Sequence, residues 1–490
     1  MSKDMILILD LGGSQCMSAA RKVRGEGVYC EILPSHVPVE ALRSKKPRGL
    51  ILVGAPREDA SGEPALSREV FHLGVPVLCV GYAARRMNAI LGGECRDTAL
   101  SLQTAEVTFE PCALFEGLTR CERYVSRMDN IRPFPGGRVL ATTPEGVAAA
   151  FGDEERQIYG MQFSAEQNDP DGLTILSNFC RGICGCEPWW NAQTYLDEEL
   201  IRIQQAVGEE GSALMAISGG VDSTVCAALI HRAIGDRLHC LFVDTGLMRK
   251  GEPERVQAMF EAMRMPVEIV DARSRFLSAL SSVTEGRDKR RIIDEVFVEV
   301  FEQEAARFPQ ADCLVQGTIY PDVIGSFGAP RIGVGVPAHG RFRVVLEPTR
   351  TLFKDEVRLM GELMGIPGEI IDRQPFPGPG LAVRCMGEVT EEKLAALRLA
   401  DAIFREEIAS AGLEKRLGQY FAVLMNAGVQ KEYTVALRCV SAADAVSASA
   451  YRLPYDLLER VMARITSEVP SVSRVVYDIT SKPPASIEWE

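Results

Sequence analysis

Six runs, MILILD, GLILVG, VPVLCVG, ALMAIS, LHCLFVD and DCLVQG, are apolar along most of their length and no longer than one strand. A strand that is apolar on alternate residues buries one face. One that is apolar throughout must be covered on both, which points to a parallel sheet between layers of helix. Stretches at helical spacing, such as TVCAALIHRAIG, lie between the runs. The fold class expected is therefore α/β, and 490 residues is enough for two to four domains.

Two sets of these runs flank the polar, Trp-containing stretch EPWWNAQTYLDEE, read as a linker entering a helix from Leu196 to Val207. A first domain, 1–190, precedes it, and a second, doubly wound domain follows, 195–375. The next break is QPFPGPG, Gln374 to Gly380, where three prolines and two glycines forbid both helix and central strand. Beyond it, 376–490 reads as a small α+β domain with helices EEKLAALRLADAIFREEIASAG and LPYDLLERVMARI and strands YTVALRCV and SRVVYDI.

A net charge of −13 repels phosphate backbones and anionic membranes, so no nucleic-acid or membrane partner is expected. The opening MSKDMILILDLGG is too short in its apolar run for a secretory signal. No run approaches the roughly 20 residues that span a bilayer, and the expected location is cytoplasmic. Fourteen cysteines are expected to be reduced and buried. Cys180, Cys184 and Cys186 could offer three soft metal ligands but lack a nearby fourth, and the five histidines show no ligand spacing.

The strongest chemical signal is ALMAISGGVDSTVCAALIHRAIG, an apolar strand, a glycine-rich turn and an immediate helix. Backbone N–H groups of such a turn and of the helix N-terminus, with the hydroxyls of Ser218 and Ser223, form a cradle for polyphosphate. Gly219 and Gly220 let the backbone approach it, in a turn that runs on through Val221, Asp222 and Ser223 to the helix. GxxxxGK[ST] is absent, so this is not a Walker loop. Further on, LHCLFVDTGLMRKGE ends a second strand in Asp244 and Thr245, a position suited to a ribose or adenine edge; a capping Asp-Thr pair is the ordinary alternative.

SGGVDS resembles the loop of the ATP pyrophosphatases. Together with VDTGLMRKGE, QGTIYPDVI, LEPTRTLFKDEVR, PFPGPGLAVR and VVYDITSKPPASIEWE, in order and nearly end to end, it resembles the GMP synthetase family. The resemblance implies a class I glutamine amidotransferase-like domain, an ATP pyrophosphatase domain and a C-terminal domain that makes a homodimer and helps bind substrate. It implies ATP and Mg2+ as cofactors, and a purine substrate, xanthosine monophosphate (XMP), adenylated and then aminated by ammonia. Ser218, Gly219, Gly220, Val221, Asp222 and Ser223 would hold pyrophosphate, with Asp222 toward the metal. Asp244, Thr245, Gly317 and Thr318 would lie along the nucleotide, and Lys354 and Asp355 would reach into the same site as Asp222 and Ser223. Gly378, Gly380, Lys482, Ile487 and Glu490 would help to seat the purine.

Three departures from the family pattern stand out. Where the family's amidotransferase has Gly-Ile-Cys-Tyr-Gly-Met-Gln, this chain reads Cys79 to Arg85, CVGYAAR, with Gly81 at the nucleophile and Cys79 two residues early. Ser164 replaces the family's His two residues before a retained Glu166, and Gly54, Ala55 and Pro56 replace Gly-Gly-Pro. A site without thiolate and base cannot make a glutamyl thioester, so an inactive glutaminase is expected. Next, the lid after QGTIYPDVI keeps only His339 of the family's Lys-Ser-His-His-Asn pattern. Finally, LMNAGVQKEYTVALR lacks the family's phosphate-binding arginines, for which Lys431 and Arg438 are the candidate substitutes.

The leading expectation is a ligase that adenylates XMP with ATP and uses free ammonia. A diverged paralogue acting on another, unphosphorylated purine or heterocycle, by amination or sulfur transfer, is the alternative. A non-catalytic nucleotide-binding regulator is the second.

Overall fold

All six apolar runs form strands, and every one of them lies beside another in a sheet. The computed structural model describes residues 4–12, 15–54, 65–96, 104–124, 129–165, 170–325, 341–426, 433–442 and 448–490. The chain divides into two compact units, Met1–Tyr195 and Leu196–Glu490.

In the first unit, β1 (Met5–Asp10), β2 (Tyr29–Pro34), β3 (Gly49–Val53) and β4 (Val77–Val80) are followed by β5 (Glu94–Arg96), β6 (Thr104–Phe109) and β7 (Arg120–Tyr124). Then come β8 (Asn130–Arg132), β9 (Arg138–Thr142), β10 (Ala148–Asp153) and β11 (Ile158–Met161). The main sheet has nine strands in the order β2-β1-β3-β4-β11-β10-β9-β6-β7. Its first five are mutually parallel, as continuous apolar strands require. The remaining four extend it with antiparallel pairings. Strands β5 and β8 pair separately. Ile6, Ile8 and Ile51 on one face of the parallel part, and Leu7, Leu9 and Leu52 on the other, are all fully buried.

In the second unit, β12 (Ser212–Ile217), β13 (Leu238–Asp244), β14 (Val267–Asp271), β15 (Ala311–Val315) and β16 (Val344–Leu346) form an all-parallel sheet ordered β14-β13-β12-β15-β16. The chain winds outward from β12 in one direction, then returns to β12's other edge and winds the opposite way. The strand order thus reverses beside β12, and crevices at such a switch point, at the strands' carboxyl ends, are where open α/β sheets bind ligands.

A second sheet holds β17 (Gln419–Met425), β18 (Tyr433–Ala442), β19 (Ala448–Ala450) and β20 (Val472–Asp478). Strand β17 runs antiparallel along one edge of β18, while β19 and β20 share the other. Tyr420, Ala422 and Leu424 alternate into a core with the helices Glu391–Ser410 and Tyr455–Glu468. Phe421 and Val423 face the opposite side, where Ile487 and Trp489 cover them. The break at Gln374 does not divide the core, because one cluster joins Val243, Leu247 and Phe276 to Leu381, Leu394, Phe404 and Leu437.

Eleven of the fourteen cysteines are buried, and all are free. Burial raises the thiol pKa of Cys180, Cys184 and Cys186, to about 11 for the last. Among the described residues no cluster of His, Cys, Asp and Glu is arranged to hold a metal, and no helix is long and apolar enough to cross a membrane.

Candidate active site

Strand β12 ends at Ile217 and the helix Val221–Ile234 begins four residues later, leaving Ser218, Gly219 and Gly220 to make the turn. Gly219 has φ +71°, and a Cβ there would come within 2.5 Å of Val256 Cγ2, so only glycine fits. Gly220 is the N-cap, with φ −77° and ψ 164°. The loop braces itself: Gly220 N donates to Ser218 Oγ (3.3 Å), Ser218 Oγ and Ser223 Oγ are 3.0 Å apart, and Ser223 Oγ donates to Gly220 O (3.1 Å). Helix N-terminal N–H groups and the macrodipole face the same mouth.

Gly317 and Lys354, from separate segments, converge on the loop. Gly317, just past β15, packs so closely that a Cβ would meet Ser223 Cα at 3.1 Å. Lys354, first residue of the helix Lys354–Leu363, reaches Asp222 Oδ2 at 3.3 Å. Asp222 Oδ1 is buried and makes no hydrogen bond, which leaves it fit to bind a cation. Asp355 lies in the exposed first turn of that helix. Thr318 donates its hydroxyl to Glu347 Oε1 (2.7 Å), and its carbonyl accepts from Thr349 Oγ1 (2.9 Å).

Asp244 and Thr245 shape the next turn rather than point freely into the crevice. Asp244 Oδ1 accepts from Gly246 N (2.9 Å), and the buried Thr245 accepts from Leu247 N (3.2 Å). Leu247 O in turn receives Leu381 N at 2.7 Å. Gly380, at φ +62°, lies where a Cβ would meet Leu247 O at 2.4 Å, so the second proline-glycine step of QPFPGPG is pressed against this turn. Gly378 stays exposed.

Beside that segment sit cations that sequence reasoning missed. Arg249 is buried, with its guanidinium 4.4 Å from the Phe376 ring centre and Asp401 at 3.8 Å; burial pushes its pKa down to about 9. Arg384 lies 5.4 Å from the same ring and holds Glu488 by two hydrogen bonds, 3.0 and 2.8 Å. Arg249 Nε, Arg384 Nη1 and Arg405 Nη1 are buried without hydrogen-bond partners. Arg249 and Arg384 stand inside VDTGLMRKGE and PFPGPGLAVR, but only the fold brings them to one ring.

The end of the chain is strapped down. Backbone groups of Lys482 and Ala448 exchange hydrogen bonds of 2.7 and 3.0 Å. Ile487 packs on the second sheet. Glu490 pairs with the fully buried Lys289 and accepts from Gly387 N at 3.2 Å.

In the first unit, Gly81 joins β4 to the helix Tyr82–Ile90 with φ +63° and ψ −122°. Its N–H donates to Met161 O at 2.7 Å. A Cβ there would meet nothing within 4 Å, so the turn points at open space. Cys79 is fully buried within β4, level with Leu52 and Gly160, and burial drives its thiol pKa far up. Ser164 is half-buried just past β11. Gly54 has φ +125° and is in close contact with Gly12.

Residues 7–182 match the model of class I glutamine amidotransferases, and residues 406–489 match that of the GMP synthase C-terminal domain. Along its whole length the chain is 42% identical to a glutamine-hydrolyzing GMP synthase of Clostridium tetani, and the match covers all of that protein. Corresponding proteins of Caldicellulosiruptor saccharolyticus and Clostridium perfringens are each 44% identical, again over all of both chains. The chain belongs to the GMP synthase family.

Against the GMP synthase pattern, the structure corrects one expectation. Arg438 is no substitute for the missing phosphate-binding arginines: it is fully buried and spends its guanidinium on Asp478 Oδ2 (2.7 Å) and the carbonyls of Thr480 (2.5 Å), Ser486 (2.9 Å) and Ile487 (3.3 Å). Glu166, Ala55, Pro56, His339 and Lys431 lie outside the described residues.

Proposed function

We propose that this chain is an ATP-dependent carbon-nitrogen ligase that adenylates a purine carbonyl, that of XMP first of all, releases pyrophosphate, and lets free ammonia displace AMP. The ligase reading is supported by the phosphate loop at the switch point. Ser218, Gly219, Gly220, Val221 and Ser223 would bind the β and γ phosphates, and Asp222, with its unpartnered Oδ1, would hold Mg2+. Bound ATP supplies an electrophilic phosphorus and pyrophosphate as leaving group. Lys354, already beside Asp222, adds positive charge where the leaving group's charge grows. Gly317, packed against Ser223, and Thr318 would line the crevice with the loop and Asp355, while the turn shaped by Asp244 and Thr245 would bound it toward Gly378 and Gly380.

The acceptor would lie between that proline-glycine segment and the tail of Lys482, Ile487 and Glu490. Buried guanidinium nitrogens that make no hydrogen bond, Arg384 Nη1 and Arg405 Nη1, favour an acceptor that carries an anionic group such as a phosphate. A second reading, a different and unphosphorylated acceptor, is favoured by the engagement of Arg438 elsewhere. A homodimer formed through 376–490 belongs to the same proposal, supported by the exposed Tyr455 and Ile479.

The free-ammonia part rests on a single observation, Gly81 at the tip of the elbow with open space before it. Such a backbone lifts one side chain clear of the sheet, and here there is none to lift. The nearest thiol, Cys79, is inside the strand.

The test is to supply ATP, magnesium and XMP, then either ammonium salt in alkaline buffer or ammonia-free glutamine, and to follow AMP, pyrophosphate and product by mass spectrometry. GMP is expected with ammonium and no glutamate from glutamine. Catalytic glutamate release would overturn the inactive-glutaminase reading. AMP formed only with other purines would favour the second acceptor, and none with any purine would leave the chain a nucleotide-binding regulator.

A further inference from the structure

The peptide joining Gly219 to Gly220 carries one of the N–H donors that an incoming polyphosphate would meet. A trans peptide is planar, with its C=O and N–H pointing to opposite sides. Whatever grips the carbonyl of Gly219 therefore aims the N–H of Gly220.

That grip comes from far along the chain. Arg373 Nη1 donates to Gly219 O at 2.6 Å, across 154 residues of sequence. Its Nη2 pairs with Glu252, whose side chain is only 3% exposed. Glu252 opens the helix Glu252–Ala262, and the same helix carries Val256, against which Gly219 is pressed. One helix thus supports the loop from below through Val256 and, through Glu252, orients the guanidinium that holds it from the side. Gly220 N consequently turns toward Ser218 Oγ (3.3 Å), the hydroxyl that would meet the same anion.

We propose that Arg373 is a positioning residue for pyrophosphate binding: it fixes the plane of the Gly219–Gly220 peptide so that the Gly220 N–H faces the anion. The inference rests on the reading of Ser218 to Ser223 as a phosphate site. Arg373 touches no reacting atom in this account. Two differently directed donors are needed, one to Glu252 and one to the carbonyl. A guanidinium presents both in a rigid fork, whereas a lysine ammonium on a flexible stem does not.

The experiment is calorimetric titration of magnesium pyrophosphate into the full chain and into Arg373→Lys, Arg373→Ala and Glu252→Ala, with thermal unfolding as a control of folding. Binding to Arg373→Lys and Arg373→Ala should weaken by about ten-fold or more, the effect of losing a charge-assisted bond to a carbonyl left buried. Added guanidinium ion should restore part of the binding to Arg373→Ala, which a merely structural role would not allow. If Arg373→Lys binds like the parent, charge alone suffices and the peptide-plane account is wrong. Should the Arg373 variants not fold, Glu252→Ala decides, because it leaves the guanidinium in place without its tether; unchanged binding there overturns the proposal. A parent chain that binds no pyrophosphate overturns the phosphate-site reading itself, and this inference with it.

Discussion

Gly81 and Gly219 share a positive φ, +63° and +71°, but their surroundings set them apart. Around Gly81 there is room for a side chain, so Gly81→Ala meets only backbone strain, on the order of 1–3 kcal/mol. Denaturant titration should find that loss, with the ammonia-dependent rate of the folded enzyme within about two-fold of the parent, since nothing in the ligase site moves. At Gly219 the added Cβ strikes Val256 at 2.5 Å, so Gly219→Ala must shift the loop itself. Pyrophosphate release should fall by about 100-fold or more, since even a displacement of roughly 1 Å at a reacting site has that effect. A rate within a few-fold of the parent would remove Gly219 from the site. The hexapeptide SGGVDS was legible in the sequence because its chemistry is local. The roles of Arg373, Arg249 and Arg384 were not, because contacts to Gly219 O and to the Phe376 ring are set by the fold and not by their sequence neighbours.

At the scale of elements, continuous apolar runs were reliable: MILILD and LHCLFVD coincide with β1 and β13 to the residue. Less was legible where burial is one-sided. Strand β7, RCERY, and strand β5, ECR, carry charges that read equally well as loop. Strand β7 is settled by pairing with the strand just before it, β6, and β5 by pairing with β8 further along the chain. The tail is another such element, since its order depends on Arg438 in β18. Arg438→Met removes the clamp on Asp478 and leaves a half-buried carboxylate unpaired, which should lower stability by about 3–5 kcal/mol. Burial alone would raise the pKa of Asp478, but the Thr480 N–H and Arg438 outweigh it and hold the carboxyl below its ordinary range. A depressed carboxylate contributes stability above its unfolded pKa and loses it as pH falls through the folded one. Unfolding curves of the parent should therefore show an acid-labile component, below the usual aspartate range, that is smaller in Arg438→Met, where the Thr480 bonds remain.

For the whole molecule, each residue assigned to ligation lies in Leu196–Glu490, whereas the elbow at Gly81 lies in Met1–Tyr195. A chain starting at Asn191 keeps the entire helix Ala192–Val207 and should form AMP from ATP, XMP and ammonium at a rate close to that of the full chain. Loss of activity despite a cooperative unfolding transition would give the first unit a part in the synthetic step. The sequence made this division legible through EPWWNAQTYLDEE. It placed a further break near residue 375, across which the core of the second unit is continuous, because proline and glycine report backbone conformation and not which side chains meet.

The bare tip of the elbow has a consequence outside the molecule. An enzyme that generates its own ammonia works at a rate set by glutamine, an amino acid that cells hold within limits. One that takes ammonia from solution responds to the dissolved gas, since only the unprotonated form is a nucleophile. Under the ammonia-dependent function proposed above, output would rise with ambient nitrogen and with alkalinity, and one glycine would tie the supply of the aminated purine to the chemistry of the surroundings.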